Sequence, residues 1–413
     1  MRNRLTAVLA ATCIACAAAN AADNIKVAFI DPLSGPFANL GEAEARHFQL
    51  VMEGINARGG VLGGRNFELV TFDSKASPQE AVLALKQVID QGIRYILQGN
   101  SSSVAHALVD TLDKHNKRNP DQAVMFLNYA AVDPALTNDK CTFFHFRFDA
   151  DADMKTSAIT DALAQDKNVS KVYLLNQDYA FGQAVSRTAK VMIAKKRPDI
   201  QIVGDDLHPL GKVKDFAPYV AKIKASGANA VLTGNWGNDL ALLIKASKDA
   251  GLKVEYYTFY AFATGTPSAI GESGAGHLKL ASQWHSNVGT PGADKWVTSY
   301  RERYKSLKDD FIFTTPVAAI EMLTKAMTQA NSAEPLAVGK ALEGMKWQSD
   351  TGEVIMRADN HQLLQPMFIS TFVKADGRNP KFDVERTGFG FRTDRRIEAK
   401  DTMMPTTCKM ERP

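Results

Sequence analysis

Three short segments of this 413-residue chain carry side chains suited to gripping a small molecule, and each stands between an apolar run and a helical pattern. After Ile93–Leu97 comes Gln98-Gly99-Asn100-Ser101-Ser102-Ser103. Three hydroxyls with free backbone N–H groups at a helix N-terminus suit a carboxylate or another anion; the competing use of the same serines is a plain helix cap. After Ala230–Thr233 comes Gly234-Asn235-Trp236-Gly237-Asn238. A tryptophan bracketed by glycines is poorly placed for a core, which turns Trp236 toward a ligand. Gly-Asn recurs in both loops, as two lobes facing each other across a cleft require. The third segment, Asn176-Gln177-Asp178-Tyr179-Ala180-Phe181-Gly182-Gln183, holds aromatics that either line the cleft or cover a sheet edge.

Reactive constellations are missing. The sequence holds no HExxH, no histidine pair at metal spacing, no Walker A loop and no G-x-S-x-G elbow, and Gly271-Glu272-Ser273-Gly274-Ala275-Gly276 has the wrong glycine order for the last. The eight histidines are scattered, and His145 and His208 read as packed or surface residues. Asp205 and Asp206 are adjacent on a strand end and point to opposite sides, which rules out a shared proton. A hydrolase built on Ser101–Ser103 lacks a nearby base. No catalytic residue, metal or cofactor is expected.

The elements that must position these loops alternate strand and helix. An apolar strand from Ile25 leads through Pro32–Gly41 into a helix starting after Gly41, with Ala45, Phe48, Met52 and Ile55 on one face, closed by Gly59-Gly60. Ser77-Pro78-Gln79-Glu80 reads as a capping box with Pro at the first helical position. The alternation continues through strand 124–127. It resumes after Phe143–Phe148 with strands at 172–175, 200–204, 230–233 and 254–259, each followed or preceded by a helical pattern. Further helices are read at 295–305 and 317–330 and a strand at 367–373, while the polar, Arg-rich tail beyond Lys381 looks irregular. The fold class is α/β: two doubly wound parallel-sheet lobes joined by a three-segment hinge. Ligands in such sheets sit at the carboxyl ends of the strands, where the three loops lie.

Compartment and class follow from the ends and the composition. Arg2 and Arg4, the apolar stretch Leu5–Ala19 and Ala19-Asn20-Ala21 form a signal peptide over residues 1–21, so the mature chain begins at Ala22. Cys13 and Cys16 fall inside it, without the run that precedes a lipidated cysteine, which favours a secreted periplasmic product over a lipid-anchored one. Removing Arg2 and Arg4 leaves 47 basic against 45 acidic residues, a balance that argues against a nucleic-acid partner. Two cysteines remain, Cys141 and Cys408, and an oxidising compartment favours a disulfide between them over two free thiols.

The motifs P-L-S-G-P-F-A-N-L-G (32–41), I-N-A-R-G-G-V-L-G-G (55–64), A-A-V-D-P-A-L-T (130–137), N-Q-D-Y-A-F-G-Q (176–183) and D-F-A-P-Y-V-A-K-I-K (215–224) resemble those of the Leu/Ile/Val-binding class of periplasmic solute receptors. The resemblance runs from Ile25 to about Tyr300 and thins beyond. It implies a type I periplasmic binding protein whose ligand touches Ser101, the loop of Ala130, Ala131 and Val132, Phe181 and Trp236. Two departures stand out. Val132 replaces a threonine, leaving only backbone, and the acid that meets an amino acid's ammonium falls near Ala261, where no carboxylate is available. An unpaired ammonium in a closed cleft costs several kcal/mol.

These readings combine into a binding protein, not an enzyme, that closes on a small organic ligand and delivers it to the permease subunits of a membrane ABC importer. Lobe 1 is expected over 22–149 plus 286–360, and lobe 2 over 150–285 plus 361–413. The site is expected to comprise Ser101, Ser102, Ala130, Val132, Phe181, Trp236, Tyr260 and Phe262. Their chemistry fits an aromatic or branched hydrophobic carboxylic acid better than an amino acid; Asp239 is the nearest carboxylate able to swing in and reverse that preference. The chain is expected to act as a monomer without nucleic acid. The alternative is a ligand-sensing regulatory protein of the same fold, responsive to an amide or an amino acid.

Overall fold

The apolar run at Ile25 forms β1 (Ile25–Asp31), and its alternate side chains enter two different cores. Val27 and Phe29 pack with Phe48 and Met52 of helix α1 (Ala38–Ala57). Ala28 and Ile30 pack with Leu85 of α2 (Pro78–Asp90) and Leu108 of α3 (Ser102–Arg118). A strand covered by helices on both faces must be apolar on both, which explains the unbroken run. With β2 (Phe67–Asp73), β3 (Tyr95–Gln98), β4 (Met125–Asn128) and β5 (His145–Arg147) it makes a five-stranded parallel sheet in the order β2-β1-β3-β4-β5. Ser77 caps α2 by accepting from the Glu80 N–H, with Pro78 at the first helical position. The computed structural model describes residues 23–413. The predicted leader, Met1–Ala21 with Cys13 and Cys16, lies outside them.

The second sheet has seven strands. β6 (Lys171–Gln177), β7 (Gln201–His208), β8 (Ala230–Leu232), β9 (Glu255–Thr258) and β10 (Leu278–Ser282) are parallel. Helices α4 (Ala152–Gln165), α5 (Ala180–Lys196), α6 (Ala217–Ser226) and α7 (Asn238–Asp249) accompany them. Residues 346–364 supply a small antiparallel sheet of β11 (Lys346–Ser349), β12 (Gly352–Met356) and β13 (Leu363–Leu364). The chain then returns to the large sheet through β14 (Met367–Lys374), antiparallel to β10, and β15 (Phe389–Ile397), antiparallel to β14.

Two expectations are corrected here. The first helix begins at Ala38, four residues before the predicted start at Glu42, and Gly41 lies inside it, where a Cβ would sit 1.9 Å from the Pro32 carbonyl oxygen. The tail beyond Lys381 is not irregular throughout, because it contains the nine-residue β15. Its charged, exposed Arg392, Asp394, Arg395 and Arg396 hid the strand in the sequence, yet an edge position is where charges are tolerated and discourage further pairing.

Three segments connect the sheets, between β5 and α4, after β10, and between β12 and β14. Buried side chains lace them together. Gln362 Nε2 donates to the Asp149 carbonyl at 2.8 Å and Gln365 Nε2 to the Phe148 carbonyl at 2.6 Å. Arg147 donates to Gln362 Oε1 at 2.6 Å, and fully buried Lys155 bridges Asp149 at 2.8 Å and Gln283 at 3.1 Å. The C-terminal tail then runs back past Gln365 to Thr137 and Asn138, where Cys408 is bonded to Cys141 with their Cα atoms 5.8 Å apart.

Candidate functional site

The loop after β3 is built to leave N–H groups free. The N–H groups of Gly99 and Asn100 are spent on Asp31, at the end of β1, at 2.9 Å each. Ser101 then adopts φ +80°, an uncommon conformation for a residue other than glycine and one that clusters at functional sites. This turn starts α3 without a side-chain cap: Ser101 Oγ makes no capping bond, and Ser102 Oγ accepts from the Asp133 N–H at 3.2 Å. Among the described residues, the N–H groups of Ser101, Ser102 and Ser103 have no acceptor, and neither has that of Val132. Four unsatisfied donors, with the positive end of a helix dipole behind three of them, are suited to a carboxylate.

The second sheet supplies an aromatic wall. Phe181 opens α5, Trp236 precedes α7, and Tyr260 and Phe262 follow β9. Phe181 and Tyr260 meet at 5.8 Å, Tyr260 and Phe262 at 5.9 Å, and Trp236 Nε1 donates to the Tyr179 hydroxyl at 2.8 Å. Tyr260 is backed by the Lys155 ammonium, 5.0 Å from its ring. Asp239 does not swing toward the cleft: its Oδ2 accepts from Gln177 at 2.7 Å and from the Gly211 N–H at 2.9 Å.

One cavity is lined by all eight candidate residues, Ser101, Ser102, Ala130, Val132, Phe181, Trp236, Tyr260 and Phe262. The same cavity is lined by Gly99, Asn100 and Tyr179, from loops that sequence reasoning had offered for gripping a ligand, and by Leu40, Glu44, Ala263, Ile312 and Phe313, which it had not assigned. None of the lining residues is basic.

Glu44 corrects the expectation of a cleft without a carboxylate. It lies on α1 one turn before Phe48, is 3% exposed, and belongs to a buried cluster. The Tyr129 hydroxyl stands 2.6 Å from Glu44 Oε2 and 2.6 Å from Asp31 Oδ2, and Asn100 Nδ2 donates to Glu44 Oε2. Gly99 makes room for this, since a Cβ there would lie 2.6 Å from the Tyr129 ring. Burial, then the negative charge of Asp31, raises the Glu44 carboxyl above its ordinary range, and burial raises Asp31. A signal was present: position 44 falls on the apolar face shared by Phe48, Met52 and Ile55, an expensive place for a carboxyl without partners.

Residues 24–378 match the model of the periplasmic binding protein family. The chain belongs to that family. Its members bind substrates and are not enzymes. The Leu/Ile/Val-binding protein homolog 4 of Brucella abortus is 30% identical, covering 98% of this chain and 97% of that protein. A leucine-, isoleucine-, valine-, threonine- and alanine-binding protein from Brucella ovis, solved in a closed conformation, is 28% identical with a TM-score of 0.81, covering 94% of this chain and 100% of that one. A solute-binding protein from R. palustris in complex with benzoate shares the fold at 20% identity and a TM-score of 0.77, covering 94% and 99%.

This periplasmic binding protein has its cleft shut. Phe37, ahead of α1, reaches across to Trp236 with ring centroids 4.3 Å apart, and Phe262 meets Phe313 at 6.0 Å. Asn39 Nδ2 donates to the Thr264 carbonyl at 3.0 Å and Asn238 Nδ2 to that of Pro36 at 3.4 Å. Trp236 therefore touches the cavity on one side and the opposite lobe on the other.

Proposed function

We propose that this chain is a periplasmic receptor for a hydrophobic carboxylic acid, aromatic by preference, which it delivers to the permease of an ABC importer after removal of residues 1–21. The observation that carries this reading is the pairing of free N–H groups, those of the cavity-lining Ser101, Ser102 and Val132 and that of Ser103 in the next position of the same helix start, with the flat walls of Phe181, Trp236, Tyr260 and Phe262. A carboxylate takes the donors in charge-assisted hydrogen bonds, roughly twice as strong as neutral ones, while the rings bury the apolar body. Ligand bridging Ser101 on one side and Trp236 on the other favours the closed arrangement, the conformational signal a permease reads. The two bodies that move follow the expected division, 22–149 with 286–360 and 150–285 with 361–413, except that the end of the tail, bonded through Cys408 to Cys141, stays with the first.

A branched-chain amino acid is the second reading. It is supported by the names of the Brucella relatives and by Glu44, which an ammonium would meet in ionised form. Calorimetry with a benzoate series and with leucine, isoleucine and valine separates the two. Micromolar binding of a benzoate without turnover supports the first reading; binding of leucine with failure of every simple carboxylic acid overturns it.

A further inference from the structure

Proton counting around Tyr129 bears on how the cleft reads its ligand. A phenol has one hydrogen, yet the Tyr129 oxygen stands 2.6 Å from a carboxyl oxygen of Asp31 and 2.6 Å from one of Glu44. Its own hydrogen serves one of these contacts, and at that separation the other needs a hydrogen from the carboxyl itself. Asp31 already accepts the N–H groups of Gly99 and Asn100, which compensate an anion, whereas Glu44 receives only the Asn100 amide. The extra proton therefore belongs on Glu44 Oε2, pointing at the phenol. That leaves Glu44 Oε1 as a carbonyl-type oxygen, which has no hydrogen-bond partner among the described residues on a side chain that is 3% exposed and lines the cavity. Among the described residues, no cation compensates the pair: His47, one turn further along α1, is held neutral by burial.

We propose that Glu44 serves in the cleft as an uncharged carboxylic acid whose Oε1 accepts a hydrogen bond from the ligand, so that the ligand carries a hydroxyl or another neutral donor in addition to its carboxylate. This rests on the reading of the cleft as a carboxylic-acid site. Burial and the neighbouring Asp31 both disfavour the ionised form, in agreement with the proton count. A hydroxy-substituted aromatic acid meets both demands. A zwitterionic amino acid does not, since pairing its ammonium with a carboxylate would require Glu44 to release to solvent the proton that holds it to Tyr129.

The test has two arms. Infrared difference spectra of ligand-free protein at neutral pH, wild type minus E44Q, should show the C=O stretch of a protonated carboxyl. Its absence, or its survival in E44Q, which would move the proton to Asp31, overturns the proposal whatever the ligand. In the second arm, benzoate, 3-hydroxybenzoate and 4-hydroxybenzoate are titrated by calorimetry. One hydroxy isomer should bind about 3- to 10-fold tighter than benzoate, as one neutral hydrogen bond predicts; E44L should erase that preference and E44Q should restore it. Benzoate binding with no hydroxyl preference, or a preference that survives E44L, overturns the inference while leaving the carboxylic-acid reading intact. If the benzoates all fail and leucine binds, that reading falls, and loss of leucine binding in E44Q then makes Glu44 an ammonium partner and sinks this inference too.

Discussion

The loops after β3 and β8 occupy equivalent places in the two sheets, and each carries Gly-Asn ahead of a helix. In the first, Gly99 and Asn100 are tied to Asp31, and the N–H groups of Ser101 and Ser102, which line the cavity, have no acceptor among the described residues. In the second, Gly234 donates to Asn176 and Asn235 bonds His208, and what reaches the cavity is the ring of Trp236. Both loops are anchored by their Gly-Asn pair, but one then presents donors and the other an apolar face that also leans on Phe37. Like topology presents unlike chemistry: one side offers hydrogen-bond donors, and the other an apolar ring.

If that division is right, Trp236→Ala should have the largest effect, since it removes stacking and a cross-lobe contact together. We expect a loss of roughly 2–3 kcal/mol in affinity for an aromatic acid, about 30- to 150-fold by calorimetry; unchanged affinity would remove the second loop from the site. Phe37→Ala sharpens the comparison, because Phe37 touches Trp236 without lining the cavity. It should cost about 3- to 10-fold in affinity through the closed population alone, with a larger radius of gyration in scattering at subsaturating ligand.

A third expectation concerns pH. Burial and Asp31 raise the folded-state Glu44 carboxyl, so above the ordinary carboxylate range the folded chain holds a proton that the unfolded chain has released. Stability from this group is present at low pH and lost as pH rises toward the raised folded value, by at most about 1.4 kcal/mol per pH unit. The neighbours facing it, Asp31, Tyr129 and Asn100, are retained in E44Q. The melting temperature of E44Q relative to wild type should therefore climb from pH 5 toward pH 8; a flat difference would contradict the shift.

The smallest effect separates backbone from hydroxyl at Ser101. S101A and S101G both delete the hydroxyl, but only glycine relaxes φ +80°, so S101G should melt higher than S101A by the equivalent of about 1 kcal/mol. Equal melting temperatures would show that the turn stores no strain.

The strand and helix alternation was legible because buried parallel strands leave long apolar runs and their helices leave three- and four-residue spacing. The candidate residues came from loops between such elements, so topology carried them to the same strand ends. What was not legible depended on distant partners. Ile312 and Phe313 follow Asp309 and Asp310 in a stretch without regular structure, and only the fold brings them against Phe262. Glu44 was hidden by the helix pattern itself, since spacing assigns a face but does not say that a cavity opens on it. β15 was hidden by charges that its edge position permits.

The tail fastened at Cys141 has one more consequence, for the order in which the molecule is completed. A chain that crosses a membrane N-terminus first presents residue 141 long before residue 408, which lies 267 positions later. Until the last few residues arrive, Thr137 lacks its bond from Thr406 and Asn138 its bond from Thr407, and one cysteine waits alone. The body that holds Cys141 is thus not complete until residue 408 has followed it, and a truncation that removes Cys408 would leave that body unfinished.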